Sequence, residues 1–301
     1  MATGQPQPRT GDQALVREIN LSLILHQLRA HAPVSRASLA EITGLNKTTV
    51  SSLVQELIAK QFVHEVGYDS RGVGRPAVLL ELNPEAGCMI AGEIGVDFVN
   101  VIRTDFAAEV EWRRQLQTDP AMSQHEILDL TLALLYEAVD AGAGGCRSVL
   151  GLAVGVPGLV DQATGDLLFA PNLEWRDVPL QRLLEDEFPG VPIFVDNEAN
   201  LAALGEHYFG VAQGYDDVLY ISVGVGLGGG MVRGGQLFRG KAGYAGEFGH
   251  MTVDPHGRLC KCGSRGCWET LVSQSALFRT IRLAAEAGEH TLLTKMTGND
   301  L

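Results

Sequence analysis

The 301-residue sequence predicts a mainly helical head over residues 12–82 that ends in a β-hairpin, followed by an α/β body over residues 83–301; residues 1–11 are expected to be a disordered tail. Three observations carry this expectation. Apolar residues recur at helical spacing in three segments before residue 60, with a glycine between the second and third. Two β-rich runs then flank a tip rich in Gly, Arg and Pro. After Asn83-Pro84, buried-strand runs alternate with helical stretches, as in a sheet with helices packed on it.

The length accommodates both parts. A hydrophobic content of 46% and a charged content of 20% are those of an ordinary soluble globular protein. No apolar run reaches the roughly eighteen residues of a membrane span, and the polar start MATGQPQPRTG has no signal-peptide core, so a cytoplasmic protein with no membrane partner is expected. The net charge of -13 is uneven: residues 1–80 hold eight Lys/Arg against six Asp/Glu, leaving 15 against 30 for the rest. A near-neutral head on an acidic body permits a nucleic-acid-binding module at the front only.

In the head, DQALVREINLSLILHQLRA places Val16, Ile19, Leu23 and Ile24 at helical spacing behind the potential cap Asp12. Ser35 can cap the short helix RASLAEI, and Gly44 suits a left-handed turn. NKTTVSSLVQELIAK follows with Asn46 as cap; Val50, Leu53, Val54, Leu57 and Ile58 line one face, leaving Lys47, Thr48, Ser51, Ser52 and Gln55 on the other. Helix, glycine turn and a second helix with a short polar face form a helix-turn-helix pattern, whose second helix enters the DNA major groove. The candidate DNA contacts are Ser35, Arg36, Lys47, Thr48, Thr49, Ser51, Ser52 and Gln55. The β-rich runs 62–66 and 77–82 would form a wing, its tip offering Arg71 and Arg75 to a narrow minor groove. The bland alternatives are a plain helical hairpin with a solvated face and a solvated hairpin tip.

In the body, GEIGVDFVNVIRTD and EVEWRRQLQ suggest opening antiparallel strands. VLGLAVGV, VPIFVD and DVLYISVGVG read as buried strands, with helices at 125–141 and 199–208 and ligand groups expected where the strands end. The sharpest chemical signal is HMTVDPHGRLCKCGSRGCWE. His250, Cys260, Cys262 and Cys267 supply one imidazole and three thiolates, a closed tetrahedral set for a structural Zn2+ with no open position for a reactive water. Lys261, Arg258 and Arg265 would offset the thiolate charge; unliganded thiols or a redox pair are the rival readings, and Cys260 and Cys262 are poorly placed to bridge each other. Cys88 and Cys146 stand alone, and five cysteines so distributed favour a reducing compartment. Polar groups suited to a polyol surround the set: Glu247 and His250 on one turn, Glu269, Asn172 at a strand end, and Asn197 with Glu198.

The segments SRASLAEITGLNKTTVSSLVQEL, GRPAVLLELNP, GVPGLVD, DNEANLAALGE, AGEFGH and CKCGSRGCWE resemble the ROK family of repressors, open reading frames and kinases, most nearly its xylose-repressor and N-acetylglucosamine-repressor branch. The resemblance runs from about residue 12 to the end. It implies an N-terminal winged helix-turn-helix and an actin-like, ribonuclease-H-like two-lobed body with sugar in the cleft. It assigns Asn172, Asn197, Glu198, Glu247, His250 and Glu269 to the sugar and His250, Cys260, Cys262 and Cys267 to zinc, and implies a homodimer or homotetramer.

The chain departs from the family's kinases, which open with Asp-x-Gly-Gly-Thr where EIGVD here has Glu93, Val96 and Asp97. Their Gly-Thr-Gly is Gly224-Val225-Gly226, and their catalytic Asp is Glu198, here a vestigial base position. A β-branched side chain stands for a backbone-approach glycine and a carboxylate for a hydroxyl donor, so no ATP and no catalytic residue are expected. ISVGVGLGGGMV then reads as a structural turn. The family's regulators run past the MTGNDL that ends this sequence, so a C-terminal truncation is expected. The expected function is a sugar-responsive transcriptional regulator, a repressor of carbohydrate-utilisation genes that a pentose or hexose releases from a palindromic double-stranded DNA operator. The alternatives are an ATP-dependent sugar kinase with an appended DNA-binding head, or a regulator controlled by a protein partner.

Overall fold

The computed structural model describes residues 13–69, 76–119, 121–142, 148–241 and 243–289; the tail, Arg71, Arg75 and Cys146 lie outside these. The chain groups into two compact units. One takes the residues up to Met89 with Arg103–Glu111 and Gly142–Val149, the other Ile90–Ile102, Trp112–Ala141 and the chain from Leu150 onward.

The first unit opens with α1 (Gln13–His31), β1 (Val34–Ser35), α2 (Arg36–Thr43), α3 (Lys47–Ala59), β2 (Val63–Asp69) and β3 (Ala77–Leu82). The three strands form an antiparallel sheet in the order β1-β3-β2. Of the three expected caps, Asp12 lies outside the described residues and the other two form: Ser35 Oγ accepts from the Ser38 N–H at 3.1 Å, and Asn46 Oδ1 from the Thr49 N–H at 2.7 Å. Gly44 ends α2 at φ +70°, a left-handed conformation in which a side chain would be strained. Val50, Leu53, Val54 and Leu57 of α3 are buried with Ile24, Leu28, Leu39 and Leu80. The start of α1 departs from expectation, because Val16 and Ile19 are exposed and only Ile24 and Leu28 are fully buried. A 19-residue helix is about 28 Å long and outruns the small core made by the 8-residue α2 and 13-residue α3, so only its later turns face apolar partners.

The second part of the chain supplies β4 (Cys88–Ile94), β5 (Phe98–Asp105), β6 (Val110–Gln117), α4 (Gln124–Asp140), β7 (Val149–Val156), β8 (Leu159–Val160), β9 (Leu167–Ala170), β10 (Trp175–Val178), α5 (Leu180–Glu187), β11 (Ile193–Asn197), α6 (Glu198–Phe209), β12 (Val218–Val223), β13 (Leu227–Arg233), β14 (Gln236–Leu237), α7 (Glu269–Val272) and α8 (Gln274–Glu286). A five-stranded sheet runs β11-β7-β4-β5-β6, with β11 parallel to the largely buried β7. A small antiparallel sheet, β10-β9-β8, was not anticipated; its strands of two to four residues are too short for any periodicity to register.

The third sheet, β12-β13-β14, holds the glycine-rich segment. β12 is not the buried strand its composition suggested: the face bearing Leu219, Ile221 and Val223 is exposed. Of the five glycines read as a turn, only Gly224 and Gly226 flank it, with the Gly224 N–H bonded to Gly226 O at 2.9 Å. Gly228, Gly229 and Gly230 lie inside β13, where they permit close packing. A Cβ on Gly230 would come within 2.6 Å of Ala199 O and 2.7 Å of Ala203 Cβ on α6, and one on Gly229 within 2.4 Å of the Phe248 ring. One on Gly224 would meet nothing within 4 Å. Gly230→Ala should therefore cost about 1–3 kcal/mol in denaturant unfolding, because the obstructing atom is backbone, whereas Gly224→Ala should stay within about 0.5 kcal/mol of wild type.

Candidate functional site

The segment from His250 to Cys267 is folded back by short bonds, including Val253 N–H to Gly266 O at 2.8 Å and Cys260 N–H to Ser264 O at 2.7 Å. Gly266, at φ +65°, is obligatory there, since a Cβ would sit 1.5 Å from Asp254 O. The turns bring one ligand atom each from His250, Cys260, Cys262 and Cys267 within 4.8 Å of one another. Cys262 Sγ and Cys267 Sγ are 3.7 Å apart, as are Cys260 Sγ and His250 Nδ1. A tetrahedral Zn2+ with Zn–S bonds of about 2.3 Å spaces its thiolates by about 3.8 Å, so this set fits such a cation. Burial pushes the Cys260 and Cys267 thiols up from their ordinary pKa, so a cation entering here would displace protons. Lys261, expected to offset thiolate charge, instead points its ammonium at Glu174 at 3.5 Å.

Beside this cluster lies a cavity of about 640 Å³ lined by all six residues grouped as sugar ligands: Asn172, Asn197, Glu198, Glu247, His250 and Glu269. The chain positions each at the end of an element. Asn172 follows β9, Asn197 and Glu198 join β11 to α6, Glu247 precedes the 3-10 turn Phe248–His250, and Glu269 begins α7. His250 faces two ways: Nδ1 looks toward Cys260 and lies 3.6 Å from Glu269 Oε1, while Nε2 lies 4.0 Å from Glu247 Oε2. The two sites therefore meet at one imidazole.

The six are unequal in what they can still offer. The Asn197 amide is largely spent, because Oδ1 caps α6 through the Ala199 and Asn200 N–H groups at 2.9 and 3.1 Å and Nδ2 donates to Gly158 O at 3.0 Å. Glu269 Oε1 accepts from Cys260 Sγ at 2.9 Å. Asn172 makes no hydrogen bond among the described residues, and Glu198 Oε2 is sealed from solvent with no partner. Burial, followed by the negative charges of Glu247 and Glu93, raises the Glu198 carboxyl to about 8; its own backbone N–H offsets this only in part. Burial also raises Glu93, against Asn100 and Arg113, and Glu247, against His250.

The glycine turn is a wall of this cavity rather than a feature behind it. Gly224, Val225, Gly226 and Gly228 line it, and a Cβ on Gly226 would reach Asn172 Nδ2 at 2.7 Å and Glu269 Oε2 at 3.2 Å. Val96 and Asp97 line it too. No Lys or Arg is among the described lining residues, and five carboxylates are: Glu93, Asp97, Glu198, Glu247 and Glu269. Two residues escaped the sequence reading: Tyr244, which lines the cavity, and Arg239, which is not among the lining residues but pairs with Asp196. Tyr244 sits one residue ahead of the quoted AGEFGH, while no spacing marked Arg239.

In the head, Lys47, Thr48, Ser51, Ser52 and Gln55 are exposed along α3 and Thr49 is half-buried. Ser35 differs from its reading as a DNA contact: it is 8% exposed and its hydroxyl is taken by Ser38. Arg36 is paired with Glu65 at 3.0 Å. Arg71 and Arg75 lie outside the described residues.

The sequence profile of the ROK family matches residues 89–300. A protein of Caldicellulosiruptor sp. (strain Rt8B.4), provisionally named xylose repressor, is 42% identical over 278 residues, which cover 92% of this chain and 69% of that protein. The crystal structure of a ROK family transcriptional regulator, a homologue of the E. coli MLC protein, superposes with a TM-score of 0.77 at 28% identity, covering 93% of this chain and 70% of that one. A ROK family glucokinase from Streptomyces griseus, solved with glucose and AMPPNP, gives a TM-score of 0.59 at 39% identity over 67% of this chain and 62% of its own. The chain belongs to the ROK family. Its described residues include no helix long and apolar enough to cross a membrane.

Two measurements test the site. Cys262→Ser should lower bound zinc well below one equivalent in elemental analysis of the purified protein; full occupancy would remove Cys262 from the ligand set. For Glu198, below pH 4.5 the carboxyl is neutral folded and unfolded. Between 4.5 and about 8 the folded state keeps a proton that the unfolded state has lost, so stability falls as pH rises. Glu198→Gln lacks this titration and should gain on wild type by roughly 1 kcal/mol or more by pH 8, measured as denaturation midpoints across pH.

Proposed function

We propose that this protein is a sugar-responsive transcriptional repressor. In this reading the winged helix-turn-helix head, over residues 12–82, binds a palindromic operator as part of a dimer or tetramer, and the body binds an unphosphorylated pentose or hexose that releases the DNA. The observation that carries it is the convergence of Asn172, Asn197, Glu198, Glu247, His250 and Glu269 on one cavity. Carboxylates and carboxamides there can satisfy several hydroxyls of a polyol, each of which would cost about 1–3 kcal/mol if buried unpaired. The repressor name of the Caldicellulosiruptor relative and the regulator neighbour support the same reading. Zn2+ is proposed as structural: four protein ligands close its coordination, and the chemistry it supplies is a rigid platform for His250 and Glu269.

Exposed polar residues of α3, from Lys47 to Gln55, supply the groove-facing surface. Sugar acts by preferring the released state; a tenfold change in operator occupancy needs about 1.4 kcal/mol of preference, a few differential hydrogen bonds.

The glucokinase likeness favours a second reading, an ATP-dependent sugar kinase. Against it stand Asp97, Val96 and Val225 in the cavity wall and the absence of any Lys or Arg among its described lining residues, which leaves a phosphate facing five carboxylates with no Lys or Arg to offset them.

Mobility shifts on the DNA upstream of the protein's own gene, with a panel of free sugars, decide between them. Retarded DNA freed by one sugar is expected; no retardation at moderate salt would sink the repressor reading. Sugar-dependent ADP release from ATP and Mg2+, abolished by Glu198→Gln, would establish the kinase.

A further inference from the structure

The loop that carries Glu247 toward the cavity begins at Arg239, just after β14. Arg239 forks onto Asp196: Nη1 donates to Oδ1 at 2.7 Å and Nη2 to Oδ2, across 43 residues of sequence. Asp196 immediately precedes Asn197 and Glu198, and its Oδ1 also accepts from the Asn197 N–H at 2.8 Å and Asn200 Nδ2 at 3.4 Å. The ion pair thus ties the strand end bearing one wall of the cavity to the loop bearing another. Such a pair adds little net stability, since losing water offsets the attraction, but a bidentate fork fixes relative position.

The loop is closed on itself by the Ala245 N–H to Arg239 O at 3.1 Å, with Gly240 and Gly243 at φ +68° and +81° supplying the reversal. Its far end is held where Gly246, at φ +102°, abuts Gly229: a Cβ would meet Gly229 O at 2.5 Å. Between these two anchors the chain presents Tyr244, which lines the cavity, is 60% exposed as a residue and has a side chain that makes no hydrogen bond among the described residues. A tyrosine so placed has neither a core to fill nor a buried partner to serve. Glu198, Glu247, Glu269 and Asn172 can address hydroxyls around the edge of a sugar, but a pyranose also has a face of C–H groups that only an apolar surface covers well, and a tyrosine ring is such a surface with a polar tip.

We propose that Tyr244 is the residue that covers the face of a bound sugar and sets its selectivity, and that the Arg239–Asp196 ion pair positions it. The proposal rests on the reading of the cavity as a sugar site.

The test is calorimetric titration of the full-length, zinc-loaded chain with D-xylose and with D-glucose. Tyr244→Ala should weaken the sugar that wild type binds by about tenfold or more, while Tyr244→Phe, which keeps the ring, stays within about threefold. Arg239→Met should weaken the same sugar with unchanged zinc content, and Arg239→Lys should recover part of the loss. Because the ion pair acts through Tyr244, the double variant Arg239→Met/Tyr244→Ala should lose less than the product of the two single losses. A merely structural ion pair would lower the melting temperature and leave the losses in affinity independent. Wild-type affinity in Tyr244→Ala overturns the covering role, and fully multiplicative losses overturn the positioning role. Silence of the wild type toward both sugars overturns the sugar reading and this proposal together.

Discussion

The close approach of three backbone segments around Gly228, Gly229 and Gly230 is the constraint on which the cavity depends. A side chain on Gly230 would strike the carbonyl of Ala199 one residue beyond Glu198, and one on Gly229 would strike Phe248 one residue beyond Glu247. The strand can therefore lie between the start of α6 and the turn carrying His250 only because it has no side chains at these points. Asn197 and Glu198 on one side and Glu247 and His250 on the other take their separation from that contact. The glycines that look in sequence like a cradle for phosphate are used here as thin walls.

Part of this architecture was legible beforehand because it is written locally. The caps Ser35 and Asn46, the α3 face of Val50, Leu53, Val54 and Leu57, and the set of one histidine and three cysteines are all spacings within about twenty residues, and local spacing survives folding. What stayed illegible depends on partners far along the chain. Arg239 finds Asp196 across 43 residues with no pattern to announce it. Val16 and Ile19 have the right period for a buried face but no core opposite them, and the same holds for alternate residues of β12. Asn197 reads as a ligand by residue type, and its amide also caps a helix, a competition that composition alone does not reveal.

The electrostatic character of the cavity also emerges only in three dimensions. Glu93 and Asp97 come from one stretch of sequence and Glu198, Glu247 and Glu269 from three others, and they converge without a Lys or Arg among the described lining residues. The cost of keeping so many carboxylates together is reduced by holding some of them protonated, which is what burial and mutual repulsion do to Glu198. A protonated Glu198 can donate as well as accept, so the cavity can match ligand groups of either hydrogen-bonding sense at neutral pH.

His250 gives the His/Cys cluster and the cavity a common boundary, with Nδ1 on one side and Nε2 on the other. Thermodynamic reciprocity then binds the two sites to a single coupling constant: by whatever factor a cation on the thiolate side changes affinity on the cavity side, a ligand in the cavity changes retention of the cation. On the proposed reading of the two sites, retention of the cation and affinity for the sugar are therefore one linked quantity seen from two sides of a single ring.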